Sequence, residues 1–212
     1  MRRSILAPLA CIIFGVGCAS AGSGGAPNAA GQNAAGTPRE GLLLWVANGD
    51  AITAEVRDGE LFGAAVRLQL SRAGEPREDA MRGEIGALEP GQRAQLQGSV
   101  FERPVSVVFE QGRASGVFDN APFNLSLEEA PKGVTHARGL VGGELSDYAW
   151  GADQWSGHVG RCGYELRGGG GSFEGYRSCG GGRERVRLEI GSRLSAWGPI
   201  ERATVLALLL RS

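Results

Sequence analysis

The chain has 212 residues, with 22 Lys and Arg against 23 Asp and Glu for a net charge of −1. That balance excludes a basic field able to attract nucleic acid or anionic lipid. Glycine is abundant at 36 residues, whereas two histidines and four cysteines leave few groups for metal or nucleophile chemistry.

At the N-terminus, Arg2 and Arg3 precede an apolar run from Ile5 to Val16, interrupted by Pro8 and Gly15. The run is too short to span a bilayer as a helix, and the order of basic then apolar residues is that of an export signal. The small residues Gly15, Val16 and Gly17 before Cys18 resemble the lipobox of bacterial lipoproteins, a resemblance covering the first 20 or so residues. It implies that the signal peptide 1–17 is removed and that Cys18 becomes a lipidated N-terminus, with acyl chains such as palmitate holding the protein on a membrane. Ala19 and Ser20 stand where a retained lipoprotein has aspartate, which by the same resemblance implies the outer membrane. The competing reading is an ordinary secretory signal cut at Ala19 or Ala21.

Residues 18–40 then read as the lipidated cysteine and a flexible tether. From Ala19 to Arg39 the composition is Gly, Ala, Ser, Asn, Pro and Gln apart from Thr37 and Arg39, without leucine or aromatics, so too little apolar surface is present to offset ordering entropy. About 22 residues of such coil reach roughly 25–30 Å.

Residues 41–212 are expected to form a single β-rich globular domain. "ITAEVRD" from Ile52, "AAVRLQLSR" from Ala64, "RAQLQGSVF" from Arg93 and "RVRLEI" from Arg185 alternate apolar with polar, the period of strands buried on one face. Asn48-Gly49, Asp58-Gly59, Pro90-Gly91, Gln111-Gly112 and Lys132-Gly133 are turn pairs at hairpin spacing. No strand, long amphipathic helix and strand follow in succession, which argues against a parallel sheet. The expected class is all-β, an antiparallel sandwich or barrel of roughly ten to twelve strands.

At the C-terminus, "WGPIERATVLALLLRS" offers Pro199 for a first helical turn and Glu201 for the positive end of a helix dipole, then good helix formers from Ala203 to Leu210. A short α-helix docked on the sheet is predicted, with a last buried strand from Thr204 to Leu210 as the rival. The apolar run Val205 to Leu210 is too short for a membrane crossing.

Residues 82–137 and 138–195 share an internal similarity. At offsets of 56 and 59, Gly83 matches Gly139, Val100 matches Val159, Val107 matches Leu166 and Gly116 matches Gly175. If it reflects a duplication, two similar sub-units build the sheet. A hairpin centred on Gly169 to Ser172 places Cys162 opposite Cys179. Cys11 leaves with the signal and Cys18 is the lipid site, so the remaining two thiols in an oxidising compartment read as a disulfide. The competing reading, a zinc site from His158, Cys162, Cys179 and His136, lacks the close ligand pairs of compact zinc modules. No metal and no cofactor is expected.

For catalysis, neither histidine accompanies a Gly-x-Ser-x-Gly elbow. His136 reads as a loop or strand-edge residue. The stretch "RGGGGSFEGYRSCGGG" lacks the ending of a phosphate loop and reads as a hairpin tip. Glu84, Glu89, Glu128, Glu129, Glu144 and Asp147 supply carboxylates, but their pairing in space is not readable from sequence. In "DYAWGADQWSG", Tyr148, Trp150 and Trp155 fall in a loop-like setting and are the candidate binding residues, able to stack on a sugar or anchor a protein; the other reading has both tryptophans plugging the core. The sequence thus points to a non-enzymatic outer-membrane lipoprotein whose β domain binds or scaffolds an envelope protein or glycan, as an accessory to a surface machine or secreted effector. The alternative is an envelope polysaccharide or peptide hydrolase using acidic residues.

Overall fold

A computed structural model describes residues 41–46, 51–72, 92–130 and 133–211. The signal peptide, Cys18, the tether, Glu84, Glu89, Lys132, the turn pairs Asn48-Gly49 and Pro90-Gly91, and the part of the repeat before residue 92 lie outside the described residues.

Strands follow one another along the chain: β1 Gly41–Val46, β2 Ile52–Arg57, β3 Glu60–Gly63, β4 Val66–Arg72, β5 Arg93–Val100, β6 Arg103–Glu110 and β7 Arg113–Phe118. After them come β8 Ala121–Ala130, β9 Val134–Val141, β10 Glu144–Trp150, β11 Gln154–Val159, β12 Cys162–Gly169, β13 Ser172–Cys179 and β14 Gly182–Ile190. Each pairs antiparallel with its sequence neighbours, and β1 closes on β14 through the register Leu42↔Ile190 to Val46↔Val186. The domain is therefore an up-and-down barrel, not a sandwich, and closure leaves no open sheet edge.

The 14 strands among the described residues exceed the ten to twelve expected because several hairpins turn in two residues without a glycine signal. Phe101-Glu102 and Asp119-Asn120 all have positive φ, between 50° and 64°. Such mirror-image turns match the right-handed twist of the flanking strands and leave almost no loop to read in the sequence.

Strand alternation sorts the wall into two faces. Val66, Leu68 and Leu70 of β4, Tyr164 and Leu166 of β12, and Val186 and Leu188 of β14 are buried in one cluster, while Arg67, Gln69, Glu165, Arg167, Arg185 and Arg187 face outward. This is the reverse of a bilayer-spanning barrel, whose outer band is apolar. Among the described residues no helix is long and apolar enough to cross a membrane.

Under the offset of 59, β5 to β7 superimpose in register on β11 to β13: Val107 faces Gly116 as Leu166 faces Gly175. Gly98 and Gly157 also correspond, with φ of +144° and +126°. A side chain at Gly157 would collide with the Asp147 carbonyl and the Tyr148 backbone across the strand gap. Glycine at this point lets the sheet bend around its contents.

Those contents include the C-terminal segment. After the short helix α1, Ser192–Ser195, comes α2, Pro199–Leu210, with Pro199 in its first turn as expected. The expected helix therefore forms and packs on the sheet, and the face it packs on is the inner one, so that it threads the lumen. At its entry, Gly191 N–H donates to the Gly41 carbonyl and Arg193 to the Val56 carbonyl. At its far end, Arg211 donates to the Gly142 carbonyl in the β9–β10 turn, pairs with Glu144 at 3.6 Å, and stacks on Phe118. From Ile200 to Leu210 every residue except Arg202 is buried. A helix apolar all round needs burial on all sides. A barrel of about eight strands is filled by side chains alone, so this wider one has space that α2 occupies.

Candidate functional site

The three aromatic residues singled out from sequence lie inside the barrel. Tyr148 and Trp150 belong to β10 and Trp155 to β11, joined by the tight connection Gly151 to Asp153, so the segment is a hairpin and not a loop. Tyr148 is 1% exposed and stacks on Trp155 at 4.9 Å and on Trp150 at 5.8 Å, while Trp155 meets Tyr164 edge-on at 5.3 Å. The Tyr148 hydroxyl donates to the Ala203 carbonyl at 2.8 Å, and the Tyr164 hydroxyl donates to the Leu210 carbonyl. Burial in this apolar lumen raises the Tyr148 hydroxyl well above the ordinary tyrosine value and pushes Tyr164 up to about 12, the nearby Arg177 opposing the second shift. Both phenols stay neutral donors that hold the helix.

Cys162 and Cys179 face each other in the β12–β13 register and form a disulfide with a Cα–Cα distance of 4.4 Å. That spacing is the close approach of a non-hydrogen-bonded cross-strand pair. The hairpin turns at Gly170-Gly171, between the paired Gly169 and Ser172. With both thiols joined to each other, neither is a thiolate ligand. Among the described residues no cluster of three or more His, Cys, Asp or Glu side chains is arranged to hold a metal ion.

His136 is not a loop residue; it lies within β9 on the outer wall. Its Nε2 is 2.8 Å from Asp147 Oδ1, and Arg138 donates twice to Asp147 Oδ2 at 3.0 and 2.8 Å. His158 faces Asp147 from β11, and Glu128 faces His136 from β8. Glu144 is bound by Arg161 at 2.9 Å. The described carboxylates of the sequence reading are thus spread along the wall, and two of them, Glu144 and Asp147, are already held by arginine.

One row of outward positions runs Arg138, Asp147, His158, Gly163, Ser178 and Arg183 across six strands, each opposite the next. Gly163 interrupts it with no side chain. An open groove of about 390 Å3 lies there, edged by Ser156, Glu165, Tyr176, Ser178 and Arg183. The Arg183 guanidinium lies over the Tyr176 ring at 4.1 Å and reaches Glu165 at 3.6 Å, so three strands contribute to one rim. Sequence reasoning missed these residues because it used the Cys162–Cys179 hairpin only for its inward cysteines. The same register, read on the opposite face, brings Glu165 opposite Tyr176 and Gly163 opposite Ser178.

No protein-family model, curated protein or solved structure matches the chain.

Proposed function

We propose that the protein is a lipoprotein anchored at the outer membrane through Cys18, whose barrel is a rigid binding or scaffolding module for an envelope protein or glycan. The observation that carries the binding half is the filled lumen. With α2 and the inward side chains in place, recognition falls to the outer wall and the two rims. Among the described residues a disulfide and several two-residue turns brace the closed barrel, and such a stiff platform lowers the ordering cost of binding. The disulfide also fits an oxidising compartment outside the cytoplasm. The anchor rests on the lipobox resemblance, and two or three acyl chains give the stable attachment that one chain does not.

The hydrolase alternative needs facing carboxylates beside an aromatic cleft. Trp150 and Trp155 point into the lumen, and Glu144 and Asp147 are engaged by arginines. The geometry favours the binding module.

Fatty-acid labelling of cells expressing the chain and its Cys18→Ser variant, followed by membrane fractionation, tests the anchor. Label on the wild type in the outer-membrane fraction, with an unlabelled variant released from it, is the expected result. An unlabelled wild-type chain overturns the anchor.

A further inference from the structure

We propose that the groove over Gly163 on the outer wall is a saccharide-binding site for a short, uncharged glycan segment. This deepens the binding module proposed above and rests on it.

The shape comes first. At about 390 Å3 the groove falls within the roughly 300–1,000 Å3 typical of small-ligand sites, but it is open along the wall and not a closed apolar slot. An extended polyol can lie in such a trough with its ends free. The trough exists because Gly163 occupies an outward position where a side chain would fill it: a Cβ there meets no atom within 4 Å.

The chemistry of the rim follows. Ser156 and Ser178 bring hydroxyls that both donate and accept, Glu165 only accepts, and Arg183 only donates. Sugar hydroxyls require this mixture of donors and acceptors. Both arginines that line the groove are matched by a carboxylate, Arg183 by Glu165 at 3.6 Å and Arg177 by Glu184 at 2.8 Å, so the rim carries no unmatched charge to select an acidic or basic ligand. Arg183 lies on Tyr176, which limits its freedom and keeps its remaining N–H donors presented at the rim. Tyr176 stays 37% exposed, one of the few large apolar side chains on the wall, and supplies a partly open ring for the C–H face of a pyranose.

The test is isothermal titration of the full mature protein with neutral tetrasaccharides of glucose and of N-acetylglucosamine, and with a tetrasaccharide of glucuronic acid. Three proteins are compared: wild type, Gly163→Trp and Arg183→Ala. The open space at Gly163 allows the indole to fill the trough without moving the barrel, and unchanged thermal unfolding verifies this. The expected result is saturable binding of a neutral tetrasaccharide by the wild type, weakened about tenfold or more by Gly163→Trp and measurably by Arg183→Ala. No binding of any neutral saccharide, binding of the acidic one alone, or affinity unchanged in Gly163→Trp overturns the site. Labelling at Cys18 is independent of this groove, so loss of saccharide binding with intact acylation removes the glycan and leaves the tethered module. Binding without acylation does the reverse.

Discussion

Glu201 is the residue whose chemistry fits its surroundings least. It lies in the first turn of α2, 2% exposed, with Oε2 accepting no hydrogen bond. Its carboxyl is raised above the ordinary carboxylate range by burial. The opposing influences are a hydrogen bond from its own backbone, then the cations Arg72 and Arg202. Position explains its presence: an acid in the first turn complements the helix dipole, and N-cap Gly198 brings no capping side chain. The sign of the linkage follows. The folded protein holds this proton more tightly than the unfolded chain does, so the stability it confers is complete at pH below the ordinary carboxylate value of about 4. That stability is lost as pH rises through the raised folded value. Glu201→Gln keeps the shape and removes the charge. Thermal unfolding of the variant is expected to show a higher midpoint than wild type at neutral pH, with the two curves converging in acid. A variant less stable than wild type at pH 7 sinks the idea that desolvation outweighs the two arginines.

Among the elements, the β12–β13 hairpin was the most legible and has the clearest energetic role. Its turn glycines and alternation locate the Gly169↔Ser172 pair, and counting outward from it pairs Cys162 with Cys179. The sequence separation of 17 between the cysteines corresponds to about 3 kcal/mol in the chain-entropy account of a cross-link. The Cys162→Ser, Cys179→Ser double variant is therefore expected to lose about that much stability in urea unfolding, with an m-value no lower than wild type because the uncross-linked denatured chain is less compact. A midpoint equal to wild type would show that barrel closure alone already restrains this hairpin. Other hairpins were illegible for a local reason: at Phe101-Glu102 and Asp119-Asn120 residues with side chains adopt the left-handed turn, and no glycine marks them. Tyr148, Trp150 and Trp155 were ambiguous for a different one, open to a binding loop or, for the two tryptophans, to a core plug, and all three lie in the core. The intervening "GAD" resembles loop composition, yet it is the short connection of a hairpin whose aromatic faces both turn inward.

Where α2 goes was not legible from any local stretch, because lumen width depends on how many strands close the barrel, and that is a property of the whole chain. "VLALLL" says only that the segment must be buried; 14 strands decide that it is buried inside. The outer wall had the same fate. Its groove is made by Ser156, Gly163, Tyr176 and Arg183 from four consecutive strands, and only the pairing of all four in register brings them together. The helix is consequently structural for the barrel, not an appendage to it. Ile200, Val205, Leu206, Leu208, Leu209 and Leu210 are all buried, and at roughly 1.5–3 kcal/mol per side chain they contribute on the order of 9–18 kcal/mol. That is comparable with the whole net stability of an ordinary domain, about 5–15 kcal/mol. A chain ending at Gly198 is expected to lose the cooperative unfolding transition and to bind a hydrophobic dye, since the lumen wall would face water. Cooperative unfolding retained at the wild-type midpoint would mean that the barrel wall stands without α2 and leaves its lumen open. In that case the barrel could admit a ligand through the space the helix now holds, and recognition would move from the wall to the interior.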